Sequence, residues 1–151
     1  MLLPNLTITF LICHRARFLL IRRSVSEKNF PGLWAFPGGK VEPGETIVDT
    51  IHREVFEETA LTLEDEFVPL NSYCFPGSVG LACLVRSTSD RVVAEGFDEY
   101  EWISSERDMA SRHCIPGIYN HLRDALREQS RTAWLSMEAF RLSSDKYVND
   151  G

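Results

Sequence analysis

Apolar residues in this chain fall in short blocks broken by polar and glycine-rich segments, not in one sustained period. Leu6 to Cys13 is an apolar block in which Thr7 and Thr9 alternate with Ile8 and Phe10, a strand pattern. A second block, Phe18 to Arg22, follows His14-Arg15-Ala16-Arg17, and the two predict an antiparallel pair. Ser24 to Gly32 is polar and ends in Pro-Gly, so it reads as a loop. Leu33 to Phe36 predicts a short strand halted by Pro37-Gly38-Gly39, and Pro43-Gly44 marks a turn before a helix from about Thr46 to Thr59. Further strands are expected at Phe67 to Phe75, Gly80 to Val85 and Glu99 to Ile103. Two helices close the pattern. One spans Gly117 to Glu128, with Ile118, Leu122 and Leu126 at intervals of four; the other spans Thr132 to Leu142, with Leu135, Met137 and Phe140. These blocks predict one α/β (α+β) domain over residues 1–142 and a loose tail over 143–151.

The length of 151 residues suits one domain with a core that needs no disulfide staples. A net charge of −6 argues against a stable nucleic-acid partner or an anionic membrane surface, both of which want a basic face. A small anionic ligand would therefore need local cations. Four cysteines are scattered without metal-type spacing, and Cys13, Cys74 and Cys83 lie in apolar runs, so buried, inert thiols in a reducing cytoplasm are expected. Leu2 to Cys13 lacks the basic flank and cleavage site of a signal peptide, and no run reaches membrane-spanning length. A soluble, cytoplasmic protein is the expectation.

The chemistry concentrates in the Thr46–Thr59 helix. On a helical wheel Ile47, Val48, Ile51 and Val55 share one arc, which should face the core. Glu54, Glu57 and Glu58 share the neighbouring arc, beside the apolar stripe. Like charges at i,i+4 cost an exposed helix about 0.2–0.5 kcal/mol, and more when partly buried. They also lie toward the C-terminus, where the helix dipole disfavours negative charge. Arg53 offsets part of this through Glu57, yet one cation cannot neutralise three anions, whereas a divalent ion can. Oxygen ligands of this kind suit magnesium. Taken alone, such a cluster is more simply a solvated face. The preceding Phe36-Pro37-Gly38-Gly39 turn, where backbone can approach a ligand closely, and Glu45 at the helix start shift the balance toward a site.

Gly39, Glu45, Arg53-Glu54-Val55, Glu57-Glu58 and Leu61 together resemble the box of the Nudix hydrolase family, G-x5-E-x7-R-E-U-x-E-E-x-G-U, with Ala60 where the last glycine usually stands. The resemblance implies a mixed sheet sandwiched between helices and a metal-dependent hydrolase of phosphoanhydride bonds. By this resemblance Glu57 and Glu58 are metal ligands, Glu54 is a metal ligand or the base for the attacking water, and the Gly38 carbonyl is a further ligand. Glu45 and Arg53 would hold these groups in place. Magnesium is the implied cofactor, with manganese as a substitute. Glycine in place of Ala60 would suit a left-handed helix cap, in which alanine costs about 1 kcal/mol; the alternative is a helix that ends slightly differently, and neither removes a ligand.

Ile21-Arg22-Arg23, Pro31-Gly32-Leu33-Trp34 and Phe36-Pro37-Gly38-Gly39-Lys40 are similar to the family's MutT-like nucleoside triphosphate pyrophosphohydrolases. Arg23, Lys40 and Gly39 thereby become candidates for substrate contact, and a small-molecule nucleotide becomes the expected partner. Ala35 replaces the glutamate common before Phe-Pro-Gly-Gly, which puts the contact made there in doubt. Relatives often add one metal-binding acid from a distant loop; Glu95 is the candidate, with Asp98 and Glu99 as rivals. Asn120 is a candidate for reading a base, and Trp34, Phe75 and Trp102 for stacking on one, although aromatic residues in strands are more often core. The expected reaction releases a nucleoside monophosphate from a nucleoside triphosphate or a nucleoside-diphosphate-linked compound. The alternative is a catalytically silent nucleotide-sensing or protein-binding module. The C-terminal helix either completes the core or supports a homodimer.

Overall fold

The computed structural model describes residues 3–131 and 134–141. Its strands are β1 (Asn5–His14), β2 (Arg17–Arg23), β3 (Trp34–Ala35), β4 (Gly38–Lys40), β5 (Leu63–Phe75), β6 (Ser78–Ser87) and β7 (Phe97–Ile103). Its helices are α1 (Ile47–Thr59), α2 (Ile118–Glu128) and α3 (Met137–Phe140), with a 3-10 turn at Glu106–Met109.

The expected antiparallel pair forms, but only briefly. β1 and β2 are joined by a tight turn in which Arg15 and Ala16 both have positive φ, 50° and 60°, the handedness that suits the twist of a hairpin. They pair at Cys13↔Phe18 and His14↔Arg17 and then diverge. Each strand takes a new neighbour on the freed edge. β4 pairs antiparallel with β1, and β3 pairs antiparallel with β2. On its other edge β1 runs parallel to β6 from Asn5↔Ser78 to Cys13↔Arg86, while β2 is flanked by β7. The seven-stranded mixed sheet is therefore splayed around a wedge, and the Trp34–Lys40 segment crosses it.

Alternation along β1 sends Ile8, Phe10 and Ile12 to one face, where they pack with Val48, Ile51 and Val55 of α1 and with Met137 of α3. Leu11 and Cys13 point to the other face and pack with Ile118, Leu122 and Ala125 of α2. The expected sandwich of a mixed sheet between helices is thus present. The predicted apolar arc of α1 is also the buried one: Ile51 and Val55 are fully buried and Ile47 packs against the same core. Full burial of such side chains contributes about 1.5–3 kcal/mol each.

Three features depart from the sequence expectation. Pro37-Gly38-Gly39 does not merely end a strand, because Gly38–Lys40 is itself β4. Glycine has low strand propensity, and only the divergence of β1 and β2 creates the edge that recruits it. The C-terminal helix is one turn, Met137–Phe140, since Leu135 exchanges both backbone hydrogen bonds with Phe67 instead (2.9 and 3.0 Å). Thr132, Ala133, Leu142 and the expected tail at 143–151 lie outside the described residues. Cys74 is exposed on the outer strand β5, whereas Cys13 and Cys83 are buried as expected.

Helix α1 is held at both ends by identifiable groups. Thr46 and Asp49 form a reciprocal capping box: the Asp49 N–H donates to Thr46 Oγ1 (3.1 Å), and the Thr46 N–H donates to Asp49 Oδ2 (3.0 Å). At the other end Ala60 takes the left-handed conformation, φ 59° and ψ 13°, and its N–H donates to the Phe56 carbonyl (2.8 Å). Ala60→Gly relieves about 1–2 kcal/mol of left-handed strain against about 0.4–1 kcal/mol of added unfolded-chain entropy. We expect the variant to be more stable by about 0.5–1 kcal/mol in urea denaturation; an unchanged or lower midpoint would show that Ala60 is not strained.

Candidate functional site

The wedge places backbone where helix α1 can reach it. The Phe10 N–H donates to the Pro37 carbonyl (2.8 Å), and β4 then runs beside β1 with Ile8↔Gly39 and Thr9↔Gly38 in register. A Cβ on Gly38 would lie 2.7 Å from the Ile8 carbonyl oxygen, and one on Gly39 would overlap the Glu54 carboxylate. Both glycines are thus required by close approach: β4 lies tight on β1, and the Glu54 side chain of α1 lies directly on Gly39.

Arg53 ties this corner together. Its Nε and Nη2 donate to the two oxygens of Glu45 (2.6 and 2.8 Å), a bidentate fork. Nη1 donates to Glu54 (2.7 Å) and to Glu57 (3.3 Å), and Nη2 also donates to the Lys40 carbonyl (3.1 Å). The guanidinium beside Glu45 holds that carboxyl down to about 2, helped by the Glu42 N–H and the Thr50 hydroxyl. The same carboxylates push the Arg53 pKa further up, so its charge is permanent.

Glu58 lies on the other side of this corner. It lines a cavity of about 110 Å3 together with Ile21, Arg23, Phe36, Gly38 and Glu95. Glu58 Oε2 is buried and has no hydrogen-bond partner among the described residues. Burial first, and then the Glu54 charge, push its pKa from 4.5 up to about 8, against the favourable pull of Arg23. Glu95 arrives by backbone bonds that cap α1: the Glu95 N–H donates to the Glu58 carbonyl (3.1 Å) and the Val93 N–H to the Thr59 carbonyl (2.9 Å), two carbonyls that a helix end leaves open. Its rivals Asp98 and Glu99 turn instead to Arg22, at 3.7 and 3.5 Å.

The candidate residues are therefore gathered in two adjoining groups. Arg53 holds Glu45, Glu54 and Glu57, while Glu58 shares its cavity with Arg23, Gly38 and Glu95. The expected crowding of Glu54, Glu57 and Glu58 is looser than the wheel implied, because Arg53 draws Glu57 outward, to 60% exposure. Among the described residues, no three acidic, histidine or cysteine side chains stand close enough to cage an ion as they are. Lys40 reaches the site through its carbonyl, and its side chain is exposed. Asn120 is exposed on α2; Trp34 packs under Arg112 (4.8 Å), and the Trp102 indole N–H donates to the Asp90 carbonyl (3.2 Å). A larger open groove, about 480 Å3, lies across α1 between Val48, His52, Phe56 and Met137, but Gly38, Arg23 and Glu58 do not line it, so size does not mark the site. Sequence reasoning missed Thr50, whose hydroxyl is buried against Glu45 (3.2 Å), and Glu27, which lines the cavity beside Arg23. Thr50 carried no signal in an apolar stretch; the i,i+4 spacing of Arg23 and Glu27 was visible, but in a loop it had no meaning.

The sequence matches the NUDIX domain over residues 4–108, and the chain belongs to the Nudix family of hydrolases. It is similar to mouse (Mus musculus) nucleoside diphosphate-linked moiety X motif 6, with 36% identity over 129 residues, 76% of this chain and 41% of that protein. The chain thus spans about two-fifths of that relative's length. It is also similar to nucleoside triphosphatase NudI of Klebsiella pneumoniae, 28% identical over 113 residues that cover 64% of this chain and 79% of that one. A NUDIX hydrolase from Nitrosomonas europaea shares the fold at a TM-score of 0.69 and 22% identity, covering 92% of this chain and 97% of the other. No helix among the described residues is long and apolar enough to cross a membrane.

Nudix hydrolases generally use divalent metal ions, and the donor set here fits one. The buried Glu58 oxygen without a partner faces the same cavity as Gly38 and Glu95, and all three supply hard oxygen donors. An unpaired buried carboxyl also has a consequence for stability. The folded state holds the Glu58 proton above the ordinary 4.5, so stability falls as pH rises from about 4.5 to about 8. Glu45, held near 2, acts only in acid, where its contribution is lost below about 4.5. With chelator present, we expect the melting temperature to decline between pH 5 and 8 and Glu58→Gln to flatten the decline. A Glu58→Gln profile with the same slope as wild type over that window would contradict this account of Glu58.

Proposed function

We propose that this chain is a magnesium-dependent pyrophosphohydrolase that cleaves a phosphoanhydride bond of a nucleoside triphosphate or a nucleoside-diphosphate-linked compound and releases a nucleoside monophosphate. The observation that carries the reading is the buried, unpartnered Glu58 carboxyl in a cavity shared with Arg23, Gly38 and Glu95. A carboxyl in that state wants a cation, and Arg23 wants an anion. A metal-bound phosphate chain supplies both. The names of the relatives, a nucleoside triphosphatase and a nucleoside diphosphate-linked moiety X protein, point to the same substrate class.

Glu58, Glu57, the Gly38 carbonyl and Glu95 would hold the ion, which when bound screens phosphate charge and acidifies a water. Glu54 is oriented by Arg53 through Oε1 and has its second oxygen free beside Gly39, a suitable place to take the proton of the attacking water. As the water oxygen bonds to phosphorus, the bridging P–O bond breaks and its electron pair leaves with the departing phosphate. Arg23 meets a phosphate oxygen from the strand end, and Gly39 leaves room for the chain to lie against backbone. Lys40 contributes through its carbonyl on Arg53, with its exposed ammonium available to the outer phosphates. Glu45 and Arg53 keep the geometry.

The test is steady-state turnover of a panel of nucleoside triphosphates, nucleoside-diphosphate sugars and dinucleoside polyphosphates, with and without magnesium. We expect release of a nucleoside monophosphate that requires the ion, and a fall in kcat of about 10²–10⁴-fold in Glu54→Gln, the range lost with a general base. Glu58→Gln should abolish turnover while remaining folded by circular dichroism. Hydrolysis that persists in chelator, or binding of panel members without turnover of any, would overturn the proposal.

A further inference from the structure

The cavity around Glu58 is too small for the ligand it faces. Its volume is about 110 Å3, whereas small-molecule sites begin at about 300 Å3. Its charge is also unfavourable: Glu27 and Glu95 line it against the guanidinium of Arg23. A wall that can withdraw would make room for a phosphate chain, and the lining residues differ in how firmly they are held.

Most of the lining is fixed. Ile21 and Phe36 are core residues at 6% and 5% exposure. Gly38 is locked in β4 against the Ile8 carbonyl, and Glu58 is on α1. Glu95 is bonded through its backbone to the end of α1, and Phe97 begins β7. Glu27 is different. It lies in the Ser24–Gly32 loop, 45% exposed, and among the described residues its carboxylate is held only by a long contact to Arg23 Nη2 (3.4 Å). The loop is closed at its base, where the Arg23 N–H donates to the Leu33 carbonyl (2.9 Å) and the Gly32 N–H to the Arg23 carbonyl (3.1 Å), so its outer part can move without unpairing the strand. Arg23 Nε also donates to the Asn29 carbonyl (3.0 Å), nearer the base of the same loop, so a displacement confined to the Glu27 end leaves the guanidinium anchored.

We propose that Glu27 is a stand-in for a substrate phosphate: its carboxylate sits at the anion position of Arg23 in the free protein and is displaced outward when a phosphate enters. This rests on the reading that Arg23 meets a phosphate. Glu27 then competes with the substrate for one cation, and its charge opposes the incoming anion a second time through space. A residue that merely held Arg23 in position would act in the opposite direction, because its loss would weaken phosphate binding.

Calorimetric titration of inorganic pyrophosphate with magnesium into wild type, Glu27→Gln and Glu27→Ala separates these cases. An exposed pair of this kind is worth a factor of about two to five. We expect both variants to bind pyrophosphate tighter by that factor, and the KM for a hydrolysed nucleotide to fall in parallel. Unchanged or weaker binding in both variants overturns the proposal, as does the absence of measurable binding to all three proteins at millimolar pyrophosphate. If wild type turns over no nucleotide yet Glu27→Gln binds pyrophosphate more tightly, the hydrolase reading fails and this one stands.

Discussion

One guanidinium carries the geometry of this site. Arg53 bonds Glu45 from the loop before α1, Glu54 and Glu57 from α1 itself, and the carbonyl of Lys40 from β4. Glu54 and Glu57 on the helix and Glu45 ahead of it would otherwise separate, and the glycine strand would have no reason to stay under them. The planar fork of an arginine satisfies two carboxylate oxygens at once while its remaining N–H groups face other partners. A lysine offers a point charge and could not hold the loop, the helix and the strand in one arrangement. The consequence is a division of labour. The carboxylates on Arg53 share one positive charge within the protein, whereas Glu58 lies beyond its reach.

That uncompensated carboxyl depends on the shape of the sheet. β1 and β2 part after two residue pairs, and the resulting wedge brings Gly38, Phe36, Ile21 and Arg23 to one place. Closure on the far side comes from hydrogen bonds that the end of a helix leaves open. The last carbonyls of α1 accept from Val93 and Glu95, so the acidic loop is fastened by backbone and its side chain is free to face the cavity. Helix termination, sheet splay and arginine fork each have a local cause, and together they set a few side chains around a small, electrically unbalanced space.

Much of this was legible in the sequence, for reasons that can be traced to particular residues. Strand alternation in Thr7–Phe10, the apolar arc of α1 and the left-handed position at Ala60 are local patterns, and local patterns survive folding. The spacing from Gly39 to Leu61 marked the family because each position has its own geometric demand. What did not show was non-local. β4 exists only because two strands diverge, and Leu135 leaves the predicted helix only because Phe67 offers a strand edge. Glu57 turned out more exposed than a wheel suggests, since a wheel does not see which carboxylates an arginine captures. Thr50 and Glu27 joined the site through contacts that residue type alone does not announce.

The parallel pairing of β1 with β6 has a consequence for how the site comes into being. Residues 5–13 lie against residues 78–86, with the whole acidic motif in the interval between them. Parallel ladders of such long sequence separation form late, because the entropy of closing the chain must be met before their contacts reward it. The motif is therefore not a portable cassette. A nascent chain that has emerged only as far as Leu61 contains every one of the motif's residues but lacks β6, the parallel neighbour that flanks β1 opposite the glycine strand. Its carboxylates acquire their electrostatic tension only when a later part of the chain folds back to confine them.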